Sequence, residues 1–191
     1  VIVGALLLAA GGSRRFGDAK QLALVGGRPM VAATVAIIEA AGLPLLLVTG
    51  ANAAAVTAAV PGVPAVHAEA HAGGLAESLK AGLAAAPANW GAALVMLADM
   101  PFVRSETLVL LARALAGGAP AVVPVCAGRR GNPAGFTRAL WPRLMALRGD
   151  RGAGPILDEL GVVDVEVEDP GIHRDVDVPA DLSAPVPPSA R

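Results

Sequence analysis

The residues best equipped for chemistry stand in one stretch: Leu8-Ala9-Ala10-Gly11-Gly12-Ser13-Arg14-Arg15-Phe16-Gly17-Asp18-Ala19-Lys20, with three glycines and three cations. Glycines let a backbone approach a polyanion and turn its N–H groups inward, and the cations neutralise phosphate charge. The chain has 13 Arg but two Lys, and Lys20 is one of the two. A Lys kept where Arg prevails suggests that a compact ammonium is wanted there. Gly12 and Gly17 have P-loop spacing, yet Asp18 and Ala19 stand where a Walker A motif needs Lys and then Ser or Thr. The dinucleotide fingerprint G-x-G-x-x-G is absent as well. The competing reading is a surface loop with solvated cations.

Carboxylates form the second group. Asp99 ends the apolar run 93–98 and precedes Met100-Pro101-Phe102. A lone carboxylate at the end of a buried strand is costly unless it binds something. Mg²⁺ takes one or two carboxylates plus phosphate oxygens, so Asp99 is a candidate ligand. The alternative is a cap on the helix starting near Ser105, a role Ser105 can fill itself. Near the C-terminus, Arg174-Asp175-Val176-Asp177-Val178-Pro179-Ala180-Asp181-Leu182 places Asp175 and Asp177 on one face of an extended segment. Read alone, that face is an ordinary acidic surface strand.

These groups need a scaffold. Strand-length apolar runs over 3–9, 45–49, 65–67, 93–98, 121–125 and 163–168 alternate with helical periodicity over 30–41, 53–60, 76–86, 106–116, 138–147 and 154–160. That alternation predicts an α/β fold, a mostly parallel sheet between two helix layers. In such sheets ligands sit beyond the carboxyl ends of the strands, where residues 11–20 and Asp99 fall. Val31, Thr34, Val35, Ile38 and Ala41 form the inward stripe of the first helix, which Gly42 ends. Asn52 is read as the cap of the helix from Ala53, with contact to a base as the other option.

Length and composition bound the rest. With 191 residues and 54% hydrophobic residues, one well-buried domain over 1–182 is expected, with a Pro-rich, disordered tail over 183–191. The apolar runs fall short of a membrane span, no secretory leader pattern is present, and lone Cys126 fits a reducing cytoplasm. A net charge of −1 gives no case for nucleic acid. His67 and His71 are spaced i, i+4 but lack the His-Glu-x-x-His pattern and His173 is isolated, so no zinc site is expected, and neither Cys126 nor any Ser has a nucleophile-elbow context.

The motifs together resemble one family, over about residues 4–182. Leu8-Ala9-Ala10-Gly11, Ser13, Arg15, Gly17 and Lys20 are similar to the signature of the MobA-like NTP transferases, which have a three-layer Rossmann-like fold. Leu97-Ala98-Asp99-Met100-Pro101-Phe102 resembles the second motif of that family, and Asp175–Leu182 its closing Asp-Ile-Asp-Thr-Pro-x-Asp-Leu, with Val178 where Thr is common. The resemblance implies a loop of Leu8, Ala9, Ala10, Gly11, Gly12 and Ser13 around an NTP triphosphate. Arg15 and Lys20 would neutralise the β- and γ-phosphates, at about 3 kcal/mol per contact. Asp99 would hold Mg²⁺, with Asp177 as second ligand and Asp175 in support.

Other segments point to a branch. Gly73-Gly74-Leu75-Ala76-Glu77-Ser78 is similar to the family's Gly-x-x-x-Ser segment, implying nucleotide contact by Gly74 and Ser78; otherwise it is an ordinary helix start. Arg130-Gly131-Asn132-Pro133 resembles the Arg-Gly-His-Pro of the molybdopterin cytidylyltransferase branch, with Asn132 for His. Gly149-Asp150-Arg151-Gly152-Ala153 resembles its Gly-Asp-x-Gly-Ala. Asn132, Pro133 and Asp150 would then face the acceptor, although Asp150 could instead cap a helix. The implied partners are CTP and molybdopterin, a small phosphate-bearing acceptor, with transient contact to a molybdoenzyme or its chaperone. Guanylyl or sugar-phosphate transfer, and a non-catalytic cofactor chaperone, are the alternatives.

Overall fold

The computed structural model describes residues 1–11, 19–149, 153–154 and 157–176. Its centre is an eight-stranded sheet built from β1 (Ile2–Ala9), β4 (Leu45–Thr49), β5 (Ala65–His67), β6 (Trp90–Leu97), β7 (Ala121–Cys126), β8 (Arg129–Arg130), β9 (Ala134–Thr137) and β10 (Val162–Glu166). The strand order is β10-β7-β9-β6-β1-β4-β5, with β8 paired to β7. Neighbours pair in parallel except around β9, which runs antiparallel to both β6 and β7, and at β8. A two-stranded hairpin of β2 (Leu24–Val25) and β3 (Arg28–Pro29) stands apart. Its Gly26 and Gly27 both have positive φ, as a tight two-residue hairpin turn requires.

Side chains alternate across β1 into two cores. Val3, Ala5, Leu7 and Ala9 join Val31, Val35 and Ile38 of α1 (Met30–Ala40), Val56 of α2 (Ala53–Ala59) and Leu108, Leu111 and Leu115 of α4 (Ser105–Ala116). Leu6, Leu8 and Ala10 join Leu79 and Leu83 of α3 (Leu75–Ala85) and Trp141 and Leu144 of α5 (Trp141–Met145). Helices on both faces explain strands that are apolar throughout. Gly42, at φ 69°, ends α1 as expected. No helix among the described residues is long and apolar enough to cross a membrane.

Several local expectations need correction. The helix expected over 138–147 is a 3-10 turn, Arg138–Leu140, followed by the short α5, because Pro142 can enter a helix only in its first turn. Over 154–160 the described residues show a 3-10 turn, Asp158–Leu160. Asn52 does occupy the cap position of α2, but its side chain makes no capping bond. Nor does Ser105 cap α4: Arg104 holds that position, and the Ser105 hydroxyl donates to Glu106 instead. The tail over 183–191 lies outside the described residues.

Candidate functional site

Chain direction locates the site. From β1 the chain crosses through α1 to β4 and β5 on one side, then through α3 to β6 on the other. The crevice at the carboxyl ends of β1 and β6 is therefore a topological switch point. Parallel pairing sets Leu8 beside Leu97, and the Ala98 N–H donates to Leu8 O at 3.0 Å. The register delivers Asp99 to the exit of β1, where Ala10 and Gly11 begin the Gly-rich loop.

Lys20 returns to the same point on a 3-10 turn, Lys20–Leu22. Its ammonium lies 2.8 Å from Asp99 Oδ2, with both side chains largely withdrawn from solvent (12% and 24% exposed). Asp99 Oδ1 is buried and has no hydrogen-bond partner among the described residues. An acceptor left in that condition costs about 1–3 kcal/mol, so it is a fitting atom to hold a cation. Lys20 and Asp99, read in the sequence as phosphate and metal groups, thus form one cluster.

The C-terminal segment approaches this cluster from a third direction. The Val176 N–H donates to Asp99 O at 2.9 Å, which brings the backbone at Asp175 to the rim. Arg174, just upstream, lies with its guanidinium carbon 4.0 Å over the Phe102 ring. Asn132 and Pro133 belong to the same neighbourhood: the Asn132 N–H donates to Ile172 O at 3.0 Å, and the Asn132–Pro133 peptide is cis.

Gly74 and Ser78 lie at the start of α3. Gly74, at φ 105°, takes the cap position, and the Ala76 N–H donates to Gly149 O at 3.1 Å. Gly149 and the α3 N-terminus are therefore adjacent. Ser78 is buried at 4% exposed, on the inward face one turn before Gly82, where a Cβ would lie 2.8 Å from Val48 and 3.4 Å from Leu6. Gly12, Ser13, Arg15, Asp150 and Asp177 lie outside the described residues.

A family model, the MobA-like NTP transferase domain, matches residues 5–165. The chain belongs to that family. It is a nucleotidyltransferase by class, and the three-layer fold agrees. No curated protein matches its sequence. Among solved structures it is similar to Rv0371c from Mycobacterium tuberculosis H37Rv, with 30% identity and a TM-score of 0.82, covering 94% of this chain and 95% of that one. A manganese complex of Rv0371c is 29% identical over 95% of this chain and 96% of that one, with a TM-score of 0.80. Molybdopterin-guanine dinucleotide biosynthesis protein A from Archaeoglobus fulgidus shares the fold at 21% identity and a TM-score of 0.72, covering 94% of each chain.

Two buried polar residues that sequence reasoning missed tie together segments that meet near this cluster. Buried Gln21 donates through Nε2 to Gly11 O at 2.6 Å and Ala9 O at 3.2 Å, tying the far end of the Gly-rich loop to its beginning. Its position directly after Lys20 was the only available signal. Asp169, also buried, gathers three donors from around the α4 N-terminus and its own segment.

Proposed function

We propose that this transferase moves a cytidylyl group from CTP to the phosphate of molybdopterin, releasing pyrophosphate with the help of a divalent cation. The observation that carries the reading is the Lys20–Asp99 pair beside Gly11, with one Asp99 oxygen left without a hydrogen-bond partner among the described residues. A triphosphate site needs cations on the leaving phosphates and a carboxylate for the metal, and these residue types meet at the switch point. Donor and acceptor identity rest on the sequence resemblance of the 130–133 and 149–153 segments.

Asp99 would hold the cation through Oδ1, with Asp177 and Asp175 contributed by the closing segment. Bound there, Mg²⁺ would offset phosphate charge and orient the α-phosphate. The manganese complex of a 29% identical relative supports a divalent ion in a protein of this kind. An acceptor phosphate oxygen attacks the α-phosphorus in line, and the bond to the bridging oxygen breaks. Pyrophosphate departs with that electron pair. Lys20 has three donor hydrogens, so its ammonium can keep Asp99 Oδ2 and still turn toward a phosphate. Arg15 and Lys20 would stabilise the leaving group, while Gly74, Ser78 and the backbone of Leu8–Gly11 hold the nucleotide. Asn132, Pro133 and Asp150 would face the acceptor. Such transfer needs positioning and charge rather than a protein nucleophile.

Purified protein incubated with molybdopterin and each NTP in turn, with products identified by mass, tests the reading. Molybdopterin cytosine dinucleotide from CTP is the expected product. Turnover with GTP alone would replace the cytidylyl assignment by a guanylyl one. Binding without pyrophosphate release would make the protein a cofactor carrier.

A further inference from the structure

The segment that follows β10 runs past two parts of the site in turn. The Ile172 carbonyl accepts from the Asn132 N–H, and the next residue, His173, has its Nε2 3.0 Å from Arg129 O. Further along, the Val176 N–H reaches Asp99 O. What fixes the start of this strap is Asp169. Its Oδ2 accepts from Arg104 N–H at 2.8 Å and from the Thr107 hydroxyl at 2.7 Å, and its Oδ1 accepts from Gly171 N–H at 2.9 Å. The residue is 2% exposed. The Arg104 side chain adds a bond to Glu168 O at 2.9 Å. Gly171 presses so closely on the 99–102 loop that a Cβ there would meet Phe102 O at 2.0 Å.

We propose that Asp169 is a positioning residue: a buried buckle that holds the strap 170–176 on the α4 N-terminus and so sets the place of Asp175 against Asp99 and of Asn132 against the acceptor. A carboxylate this buried needs its donors, and all three lie either on the α4 N-terminus or on the strap itself. The consequence for metal affinity rests on the reading of Asp99 given above; the consequence for strap geometry does not.

The test uses the full chain and Asp169→Asn, which puts an amide NH₂ where one oxygen met N–H or hydroxyl donors. Hydrogen exchange at the Val176 and Asn132 amides reads the strap directly. Both should lose protection at least about tenfold while amides of β1 and β6 keep theirs. Mn²⁺ titration of the folded variant should show affinity weakened roughly ten- to a hundredfold, as for groups that orient metal ligands. Thr107→Val, which removes one of the three donors, should give a smaller effect in the same direction, and it decides the question if Asp169→Asn does not fold. Unchanged protection at both amides would overturn the buckle. An Asp99→Ala protein that binds Mn²⁺ as well as the parent would instead overturn the metal reading, leaving the exchange result to stand by itself.

Discussion

Asp99 divides its two oxygens between two surroundings. Oδ2 meets Lys20 Nζ at 2.8 Å, and Oδ1 is buried without a hydrogen-bond partner among the described residues. Truncation to Ala removes both, so Asp99→Ala should fold yet lose transfer by about a thousandfold or more, equivalent to roughly 4 kcal/mol of barrier. Pyrophosphate release against circular dichroism of the same sample checks this; a folded variant with undiminished rate would refute the assignment. Lys20→Arg keeps the charge but replaces a compact ammonium by a planar fork. It should lower kcat by about a hundredfold, the usual scale for one misplaced donor at a developing charge. Chelation with EDTA should stop turnover, and Mg²⁺ or Mn²⁺ should restore it.

Elements hold those residues through close backbone approaches. Gly50, which follows β4, stands so near the start of the loop that a Cβ would lie 2.5 Å from Ala10 O and 2.8 Å from Ala10 Cβ. Gly50→Ala must push one of these segments aside, at about 1–3 kcal/mol. The expected outcome is a several-fold higher KM for the NTP with a modest fall in Tm, measured by initial rates and thermal melting. A similar constraint explains why β9 is not legible in the sequence. Gly135 sits in that strand because a Cβ would meet Leu94, Leu115 and Val122 within 2.9 Å. Local propensity disfavours Gly in a strand, so Ala134-Gly135-Phe136-Thr137 reads as loop until α4 is packed across it. Asp169 is hidden for a related reason: its donors on Arg104 and Thr107 are more than 60 residues away in sequence.

At the scale of the whole molecule, the two cores can be perturbed without touching the site. Gly4 lies against Trp90 at the opening of β1, and a Cβ there would lie 2.2 Å from the ring. Gly4→Ala should lower stability by about 1–3 kcal/mol while activity per folded molecule stays near that of the parent, as denaturation curves and active-site titration would show. Apolar periodicity determined the layered α/β architecture because burial requires the same pattern wherever a sheet is covered on both faces. Residue type and spacing likewise singled out Lys20 and Asp99 as chemical groups. Their meeting at 2.8 Å, the tie from Val176 to Asp99, and the roles of Gln21 and Asp169 depended on strand order and register. Periodicity records which face of an element is buried, whereas pairing between distant segments is decided only when the chain closes on itself.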